Sequence, residues 1–165
     1  MTRKARIRAA LVTAAALATA VTATVGVSAA SPEQDSKPTK KQIAALFDDW
    51  NAALQTGDPE KVTERYADDA VLLPTVSNKI RTDHAGIEDY FEHFLENKPV
   101  GKKIETIVNV LDKNSAIDTG LYEFTLTDPD TGAQRVVEAR YTYEYEKRGG
   151  EWLIVNHHSS MMPEG

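Results

Sequence analysis

Three compact turns divide the C-terminal part of the chain into four long segments, and this pattern limits the folds that the chain can adopt. The turns are 112–115 (DKNS), 128–132 (DPDTG) and 148–150 (RGG), which are rich in the residues typical of tight turns. Apolar and polar residues alternate between the turns, which predicts strands. Because short turns join antiparallel neighbours, we predict a four-stranded meander. Its strands are expected over 103–111, 116–127, 134–147 and 151–160.

Helical periodicity precedes the strands and begins at Thr39. Thr39 and Gln42 have the spacing of a capping box, in which two side chains satisfy backbone N–H groups at the start of a helix. Apolar residues then recur three and four positions apart until Gly57, a residue type that commonly follows the last helical turn. The pattern predicts a long amphipathic helix. Its buried face carries Ile43, Leu46, Phe47, Trp50 and Leu54.

A short helix and a single strand are predicted next. Residues 58–60 (DPE) combine a capping Asp, a Pro at the first helical position and an acid in the first turn, so a second helix begins there and stops near Tyr66. Asp68 and Asp69 then predict a turn. The apolar, partly β-branched residues 71–76 predict a strand that precedes the meander in the chain.

A third helix completes the predicted order of elements. It is capped by Thr82 or Asp83 and ends at residues 97–99 (NKP). The order is helix, helix, strand, helix and four strands. This order predicts an α+β fold, a cone-shaped roll in which three helices cover one face of a curved antiparallel sheet.

The N-terminal segment has the composition of a secretory signal peptide. Four basic residues precede an uncharged run rich in Ala, Val and Thr, and small residues at 27–30 (VSAA) resemble a cleavage site. We therefore predict a signal peptide over 1–30, a flexible polar spacer over 31–39, a cone domain over 40–162 and a tail over 163–165. The predicted location is extracytoplasmic or secreted. An uncleaved N-terminal membrane anchor is the alternative.

The charge of the chain narrows its possible partners, and the absence of cysteine excludes disulfides. Without residues 1–30 the chain carries 15 Lys and Arg against 25 Asp and Glu, a formal charge of −10. Such an acidic domain repels phosphate backbones and anionic membranes, so neither nucleic acid nor, after cleavage, a membrane is an expected partner. With no cysteine in the chain, the domain has no disulfide and must depend on packing.

Two short stretches resemble a known superfamily. The first helix ends in NAAL (51–54) followed by Gly57-Asp58, and the last strand contains WLIV (152–155) followed by HSS (158–160). With the order of elements, they resemble the nuclear transport factor 2 / SnoaL-like cone. The association domain of calcium/calmodulin-dependent protein kinase type II and its stand-alone bacterial relatives, often labelled SgcJ/EcaC, are most similar. The resemblance implies a pocket between the sheet and the first helix, and pairing of copies through the outer sheet face.

The resemblance also indicates which residues could contact a ligand. It places Tyr122, Tyr143 and Ser159 where the kinase association domain carries pocket arginines, so a specificity for anions is not implied. Alternation along the last strand turns His157 toward the same side. Asn51, on the first helix, could reach the pocket mouth or remain a surface amide. The candidate ligand-binding residues are therefore Asn51, Tyr122, Tyr143, His157 and Ser159.

Acid–base chemistry is a further possibility. Asp118 shares a strand face with Tyr122, and a carboxylate beside a phenol would suit enolisation, as in the ketosteroid isomerases of the superfamily. The competing interpretation, which we favour, is an aspartate near a strand end in contact with water. The candidate catalytic residues are Asp118, Tyr143 and His157.

The doublet His157-His158 predicts two separate sites. Side chains of neighbouring strand residues point to opposite faces, so the pair cannot bind one metal ion together. His157 is expected in the pocket and His158 on the outer face. The candidate interface residues on that face are Ile117, Trp152, Ile154 and His158.

These features lead to one predicted function and two alternatives. The prediction is an exported domain that binds a small, fairly apolar organic ligand in a tyrosine-rich pocket, as a homodimer. The alternatives are a non-catalytic association module and an isomerase- or hydrolase-type enzyme. The sequence contains no phosphate loop, dinucleotide fingerprint or metal motif, so we predict no cofactor and no metal, and an oxidoreductase activity has no motif to support it.

Overall fold

The computed structural model describes residues 36–163 of the chain. The predicted signal peptide, residues 31–35 of the predicted spacer and the last two residues of the tail lie outside the described residues, so cleavage and export stay predictions. Within the described range, no helix is both long and apolar enough to cross a membrane.

Three helices form where the capping signals place them. The first, α1 (Lys40–Leu54), starts with the predicted capping box: the Gln42 N–H donates to Thr39 Oγ1 at 3.2 Å and the Thr39 N–H donates to Gln42 Oε1 at 2.8 Å. Asp58 caps α2 (Pro59–Thr63). Asp83, one of the two predicted caps, begins α3 (His84–Leu95) by accepting from the Gly86 N–H at 2.7 Å.

Five strands form one sheet, and its order differs from a simple meander. The four predicted C-terminal strands pair antiparallel in sequence order. The first strand pairs in parallel with the last one, and the chain then crosses by way of α3 to the opposite edge, so the predicted α+β fold has a mixed sheet that is antiparallel except at this edge. The strands are β1 (Tyr66–Leu73), β2 (Val100–Val110), β3 (Ser115–Thr127), β4 (Gln134–Arg148) and β5 (Glu151–Met161), in the order β1-β5-β4-β3-β2.

The edge strand β1 begins earlier than predicted. Asp68 and Asp69 were expected in a turn before the strand, but both lie exposed inside it. The pairing register shifts between Tyr66 and Val71, so this part of the strand is irregular. An edge strand tolerates such an irregularity because one side has no neighbour to match. The acidic pair therefore interrupts the pairing without ending the strand.

A second irregularity changes which residues of β5 face inward. Tyr145 pairs with Ile154 while Glu144 pairs with Asn156, so Val155 is an extra residue in the ladder. An extra residue reverses the alternation of faces. Ile154 is consequently buried, with 1% of its surface exposed, and Trp152 is half-buried against the hydrophobic core. The prediction that Trp152 and Ile154 lie on the outer face was wrong.

The inner face of the sheet carries aromatic side chains that alternate along β4. Tyr141, Tyr143 and Tyr145 are all buried. Phe47 and Trp50 of α1 pack on them, with ring centroids 6.3 Å apart for Phe47 and Tyr141 and 5.7 Å apart for Trp50 and Tyr143. These rings fill the space beneath α1, and the helices lie on this face of the sheet.

Candidate functional site

A cavity of about 40 Å³ lies between the inner face of the sheet and α3. The family resemblance implied a pocket between the sheet and the first helix. Of α1, Trp50 alone reaches this cavity, while a separate groove of about 290 Å³ lies between Leu46, Asp49 and Trp50 of α1 and the sheet residues Tyr145 and Ile154. The volume is room for a few water molecules. Pro74, Thr75 and Val76, which follow β1, form the rim. The wall is mostly apolar, and its aromatic rings come from Trp50, Tyr90, Phe91, Phe94, Tyr122 and Phe124.

A chain of hydrogen bonds ends at a histidine in the cavity wall. Trp50 Nε1 donates to the Tyr66 hydroxyl oxygen at 3.1 Å, and this hydroxyl lies 2.8 Å from His157 Nδ1. An indole can only donate, so the Tyr66 hydrogen is free for the histidine. We therefore assign His157 Nδ1 as the acceptor and Nε2 as the nitrogen that carries hydrogen.

His157 is neutral and only partly satisfied. Burial, with a smaller effect of the neighbouring His158, lowers the pKa of His157 to about 3. The ring is 3% exposed and stacks on Tyr143, with centroids 4.1 Å apart. Within residues 36–163, Nε2 has no hydrogen-bond partner. His157 thus brings to the cavity wall a buried N–H group that has no partner among the described residues and is covered by protein atoms in this structure.

A second polar group in the wall is satisfied internally. The Tyr122 hydroxyl donates to Ser159 Oγ at 2.5 Å, and Thr75 Oγ1 is also hydrogen-bonded to Ser159 Oγ. Three of the predicted ligand-binding residues, Tyr122, His157 and Ser159, therefore line one cavity. Their role in binding stays a prediction.

Tyr143 does not line this cavity. Its ring lies beneath α1, directly opposite His157 in the ladder and against Trp50, and is completely buried. Its hydroxyl has no hydrogen-bond partner among the described residues, and burial raises its pKa well above the ordinary value. The expectation that Tyr143 reaches a ligand is not met in this structure, because the histidine ring covers it on the cavity side.

Asn51 holds two elements together. Its Nδ2 donates to the Gly101 carbonyl at 2.8 Å, and its Oδ1 accepts from the Gly101 N–H at 2.8 Å. Both polar atoms of the amide are thus hydrogen-bonded, and they link α1 to β2. The side chain is bound to backbone and does not line the cavity, so this structure does not place it at the pocket mouth, and its role in ligand binding stays a prediction.

We expect Asn51→Ala to lower the free energy of unfolding by about 1–3 kcal/mol, because the buried Gly101 peptide loses two hydrogen bonds. Urea denaturation measures the change. Lys41→Ala, at an exposed position of the same helix, is the matched control and should change stability by less than about 0.5 kcal/mol. Equal effects of the two substitutions would show that the amide contributes nothing.

Asp118 is buried, contrary to the favoured interpretation of a solvated side chain. None of its surface is exposed, its Oδ1 accepts from the Tyr141 hydroxyl at 3.2 Å, and its Oδ2 has no partner among the described residues. Burial raises its pKa to about 6, against the opposing hydrogen bond from Tyr141. Because Asp118 is not in the cavity wall, the geometry does not support proton abstraction from a ligand there.

The outer face of the sheet carries the remaining candidates. Ile117 and His158 lie there, as predicted, and His158 is exposed. A groove of about 450 Å³ runs over β2 to β5 on this face, beside Thr119, Thr142 and His158. Within residues 36–163 the side chains offer no group of three or more acidic residues and histidines placed to hold a metal ion.

The sequence did not indicate the distant hydrogen-bond partners of His157 and Ser159. Tyr66 was expected only as the end of a helix, and Thr75 as part of a strand. Tyr66 and His157 lie 91 positions apart, and Thr75 and Ser159 lie 84 apart. Because these contacts depend on the pairing of β1 with β5, no local pattern in the sequence indicates them.

The element order, the mixed five-stranded sheet and the aromatic interior define a protein of the nuclear transport factor 2-like fold. The structure is similar to a nuclear transport factor 2-like superfamily protein of Salmonella enterica, with a TM-score of 0.65 and 16% identity over 76% of this chain and 92% of that chain. It is also similar to the association domain of C. elegans CaMKII, with a TM-score of 0.61 and 13% identity over 74% and 95% of the two chains.

The chain belongs to the calcium/calmodulin dependent protein kinase II association domain family, whose model matches residues 39–163. A Xanthomonas campestris protein assigned to that domain is 56% identical over 78% of this chain and 91% of that chain, with a TM-score of 0.76. No curated protein is significantly similar. The family resemblance predicted from the first helix and the last strand is confirmed.

Proposed function

We propose that this domain self-associates through the outer face of its sheet, so that two copies meet face to face as a homodimer. The observation that carries the proposal is a row of uncharged side chains across the middle of that face. The register places Ile107 beside Thr119, Thr119 beside Thr142, and Thr142 beside His158. Such side chains can contact a second copy without the desolvation of a permanent charge.

Charged residues lie on both sides of this row. Arg140 and Glu144 precede and follow Thr142 on the same face of β4. In a symmetric dimer each copy uses the same patch. A two-fold axis near Thr142 and across the strands would place Arg140 of one copy opposite Glu144 of the other, which favours that orientation of the two sheets.

The relatives support the same proposal. The family model describes an association domain, and the C. elegans structure is described as the association domain of CaMKII. The three helices of residues 36–163 pack on the inner face, so within this range no helix covers the outer face. An antiparallel sheet with one free face can stay in water, so the uncharged row is what points to a second copy.

Sedimentation velocity of three proteins tests the proposal. We expect the wild type to be a dimer at 100 µM and Thr142→Arg to be a monomer with the wild-type circular dichroism spectrum, because it places a charge in the middle of the row. Ala52→Arg, which adds the same charge at an exposed position of α1, is the control and should remain dimeric. A wild type that is monomeric at 100 µM, or a dimeric Thr142→Arg, would contradict the proposed interface.

The cavity beneath α3 favours a second function, the binding of a small and mostly apolar molecule. The buried His157 Nε2 without a partner carries this proposal, because leaving a donor unpaired costs free energy that a ligand could recover. The aromatic wall supplies the apolar contacts. A ligand larger than the cavity would need the half-buried rings of Tyr90 and Phe94 at the α3 side to move.

Mass spectrometry of molecules extracted from the purified protein tests this second function without a prior choice of ligand. We expect a bound molecule in the wild type and its loss in Ala139→Leu, because Ala139 lines the cavity and a larger side chain fills it. Ala52→Leu, on the exposed side of α1, is the size-matched control. An extract from the wild type that matches the extract from Ala139→Leu would count against a cavity ligand.

A further inference from the structure

We propose that the cavity selects a neutral ligand with a hydrogen-bond acceptor, such as a small cyclic or aromatic ketone or ether, whose oxygen binds the Nε2–H of His157. The inference rests on the proposed ligand-binding function and specifies the chemistry of its ligand. It is carried by the hydrogen bonds that run from Trp50 through Tyr66 to His157 Nδ1. They leave the Nε2–H of His157 without a partner among the described residues.

The direction of that chain determines what the histidine can offer. Since the Trp50 N–H donates to Tyr66 and Tyr66 donates to His157 Nδ1, the remaining ring nitrogen must be a donor. Stacking on Tyr143 and an edge contact with Trp50, whose ring lies 5.5 Å away at 89°, hold the imidazole plane in place. The site therefore presents an N–H to the ligand and needs an acceptor from it.

The other polar group of the cavity does not compete for the ligand oxygen. Ser159 Oγ already accepts the Tyr122 hydrogen and is hydrogen-bonded to Thr75. Breaking that network to reach a ligand would leave one of its members without a partner, which costs about as much as the new bond gains. Of these groups, the Nε2–H of His157 has the most to gain from a ligand.

Charge complementarity excludes acids and amines as preferred ligands. The described residues that line the cavity include no Asp, Glu, Lys or Arg. A carboxylate or ammonium group placed there would lose its hydration without gaining a counter-ion. The low proton affinity of the buried His157 means that it does not become that counter-ion at neutral pH. The aromatic walls favour a compact apolar body around the oxygen.

Three probes of one shape test the inference: cyclohexanone, methylenecyclohexane, in which CH₂ replaces the oxygen, and cyclohexanecarboxylate. Binding is measured by NMR titration of the full-length purified protein. We expect cyclohexanone to bind roughly tenfold more tightly than methylenecyclohexane, because only the ketone accepts the Nε2–H. We expect no binding of the carboxylate at the same concentrations.

His157→Asn is the matched variant, because an Asn oxygen can still accept from Tyr66 while the Nε2 position is lost. We expect it to bind the two neutral probes equally. Equal binding of both probes by the wild type would overturn the inference and leave ligand binding in place. Binding of neither neutral probe would overturn both the inference and the proposed ligand function, and preference for the carboxylate would overturn the neutral specificity.

The tautomer gives an independent test that needs no variant. Long-range ¹H–¹⁵N spectra of the wild type distinguish a protonated from an unprotonated ring nitrogen. We expect His157 to carry hydrogen on Nε2 at pH 7 and to keep it when cyclohexanone is added, with a shift of that nitrogen. Hydrogen on Nδ1 would overturn the inference, whatever the probes do.

Discussion

Acidification from pH 7 to pH 3 is expected to remove roughly 4 kcal/mol of folding free energy through His157 alone. The pKa of this side chain is about 3 in the folded protein, against an ordinary value of 6.5, so the unfolded chain takes up a proton that the folded protein resists. The stability is therefore fully present above pH 6.5 and is lost progressively as the pH falls toward 3. Burial of the ring is the main cause.

Asp118 opposes this trend over part of the same range. Its pKa is raised to about 6 from 3.8, so the folded protein binds this proton more tightly than the unfolded chain. Its stabilising contribution is fully present below pH 3.8 and is lost as the pH rises through 6, a change of roughly 2–3 kcal/mol. The wild type should consequently lose less stability between pH 6 and pH 4 than His157 alone would cause.

Urea denaturation at pH 7, 6, 5, 4 and 3 separates the two groups. His157→Asn cannot titrate and should lose much less stability than the wild type between pH 7 and pH 3. Asp118→Asn should lose more than the wild type between pH 6 and pH 4, because the opposing gain is absent. Parallel pH curves for the wild type and His157→Asn would show that the histidine is not held neutral by burial.

Gly120→Ala is expected to lower the free energy of unfolding by roughly 2–4 kcal/mol. A Cβ atom at Gly120 would lie 1.9 Å from the Glu105 carbonyl oxygen, and this neighbour is backbone that no rotamer change can move. The contact arises where the register of β2 shifts between Lys103 and Glu105. The two strands must separate to admit the methyl group, and their ladder hydrogen bonds weaken as they do.

Gly132→Ala is the control for this substitution. Gly132 has a φ of 71° and nothing within 4 Å of a built Cβ, so only the backbone conformation is strained there. We expect a loss of about 1 kcal/mol, measured by the same urea denaturation. A loss for Gly120→Ala no larger than this control would mean that the strands can separate at little cost.

Local patterns in the sequence were sufficient for most of the elements. The caps at Thr39 and Asp83, the three turns of the meander and the inward tyrosines of β4 each depend on neighbouring residues, and the structure agrees with them. Asp118 shows the limit of this reasoning. Alternation placed it on the inner face, yet its polarity suggested water, and only the packing of α1 over β3 makes it buried.

The features that the sequence did not predict depend on pairing between strands that are distant in the chain. The extra residue Val155 turns both Trp152 and Ile154 from the predicted outer face to the inner face. Its position is visible only in the register of β4 against β5. The parallel pairing of β1 with β5 brings Tyr66 to His157. The cavity lies where Tyr90, Phe91 and Phe94 of α3 meet the inner face of the sheet, and the space left there depends on the packed volume of many residues.

The central claim, that two copies meet through the outer face of the sheet, is tested most directly by distances between spin labels. The chain has no cysteine, so one introduced cysteine gives one label in each copy. Glu138→Cys places the label on the exposed outer side of β4, and Glu92→Cys places it on the exposed side of α3.

Double electron–electron resonance at 100 µM should give a shorter distance for position 138 than for position 92. Packed sheets lie about 10 Å apart, and each helix layer adds about 10 Å, so labels on the two α3 helices should be more than about 30 Å apart. A shorter distance at position 92 would place the helices at the interface, and the absence of dipolar coupling at both positions would show that no dimer forms. Either result contradicts the account.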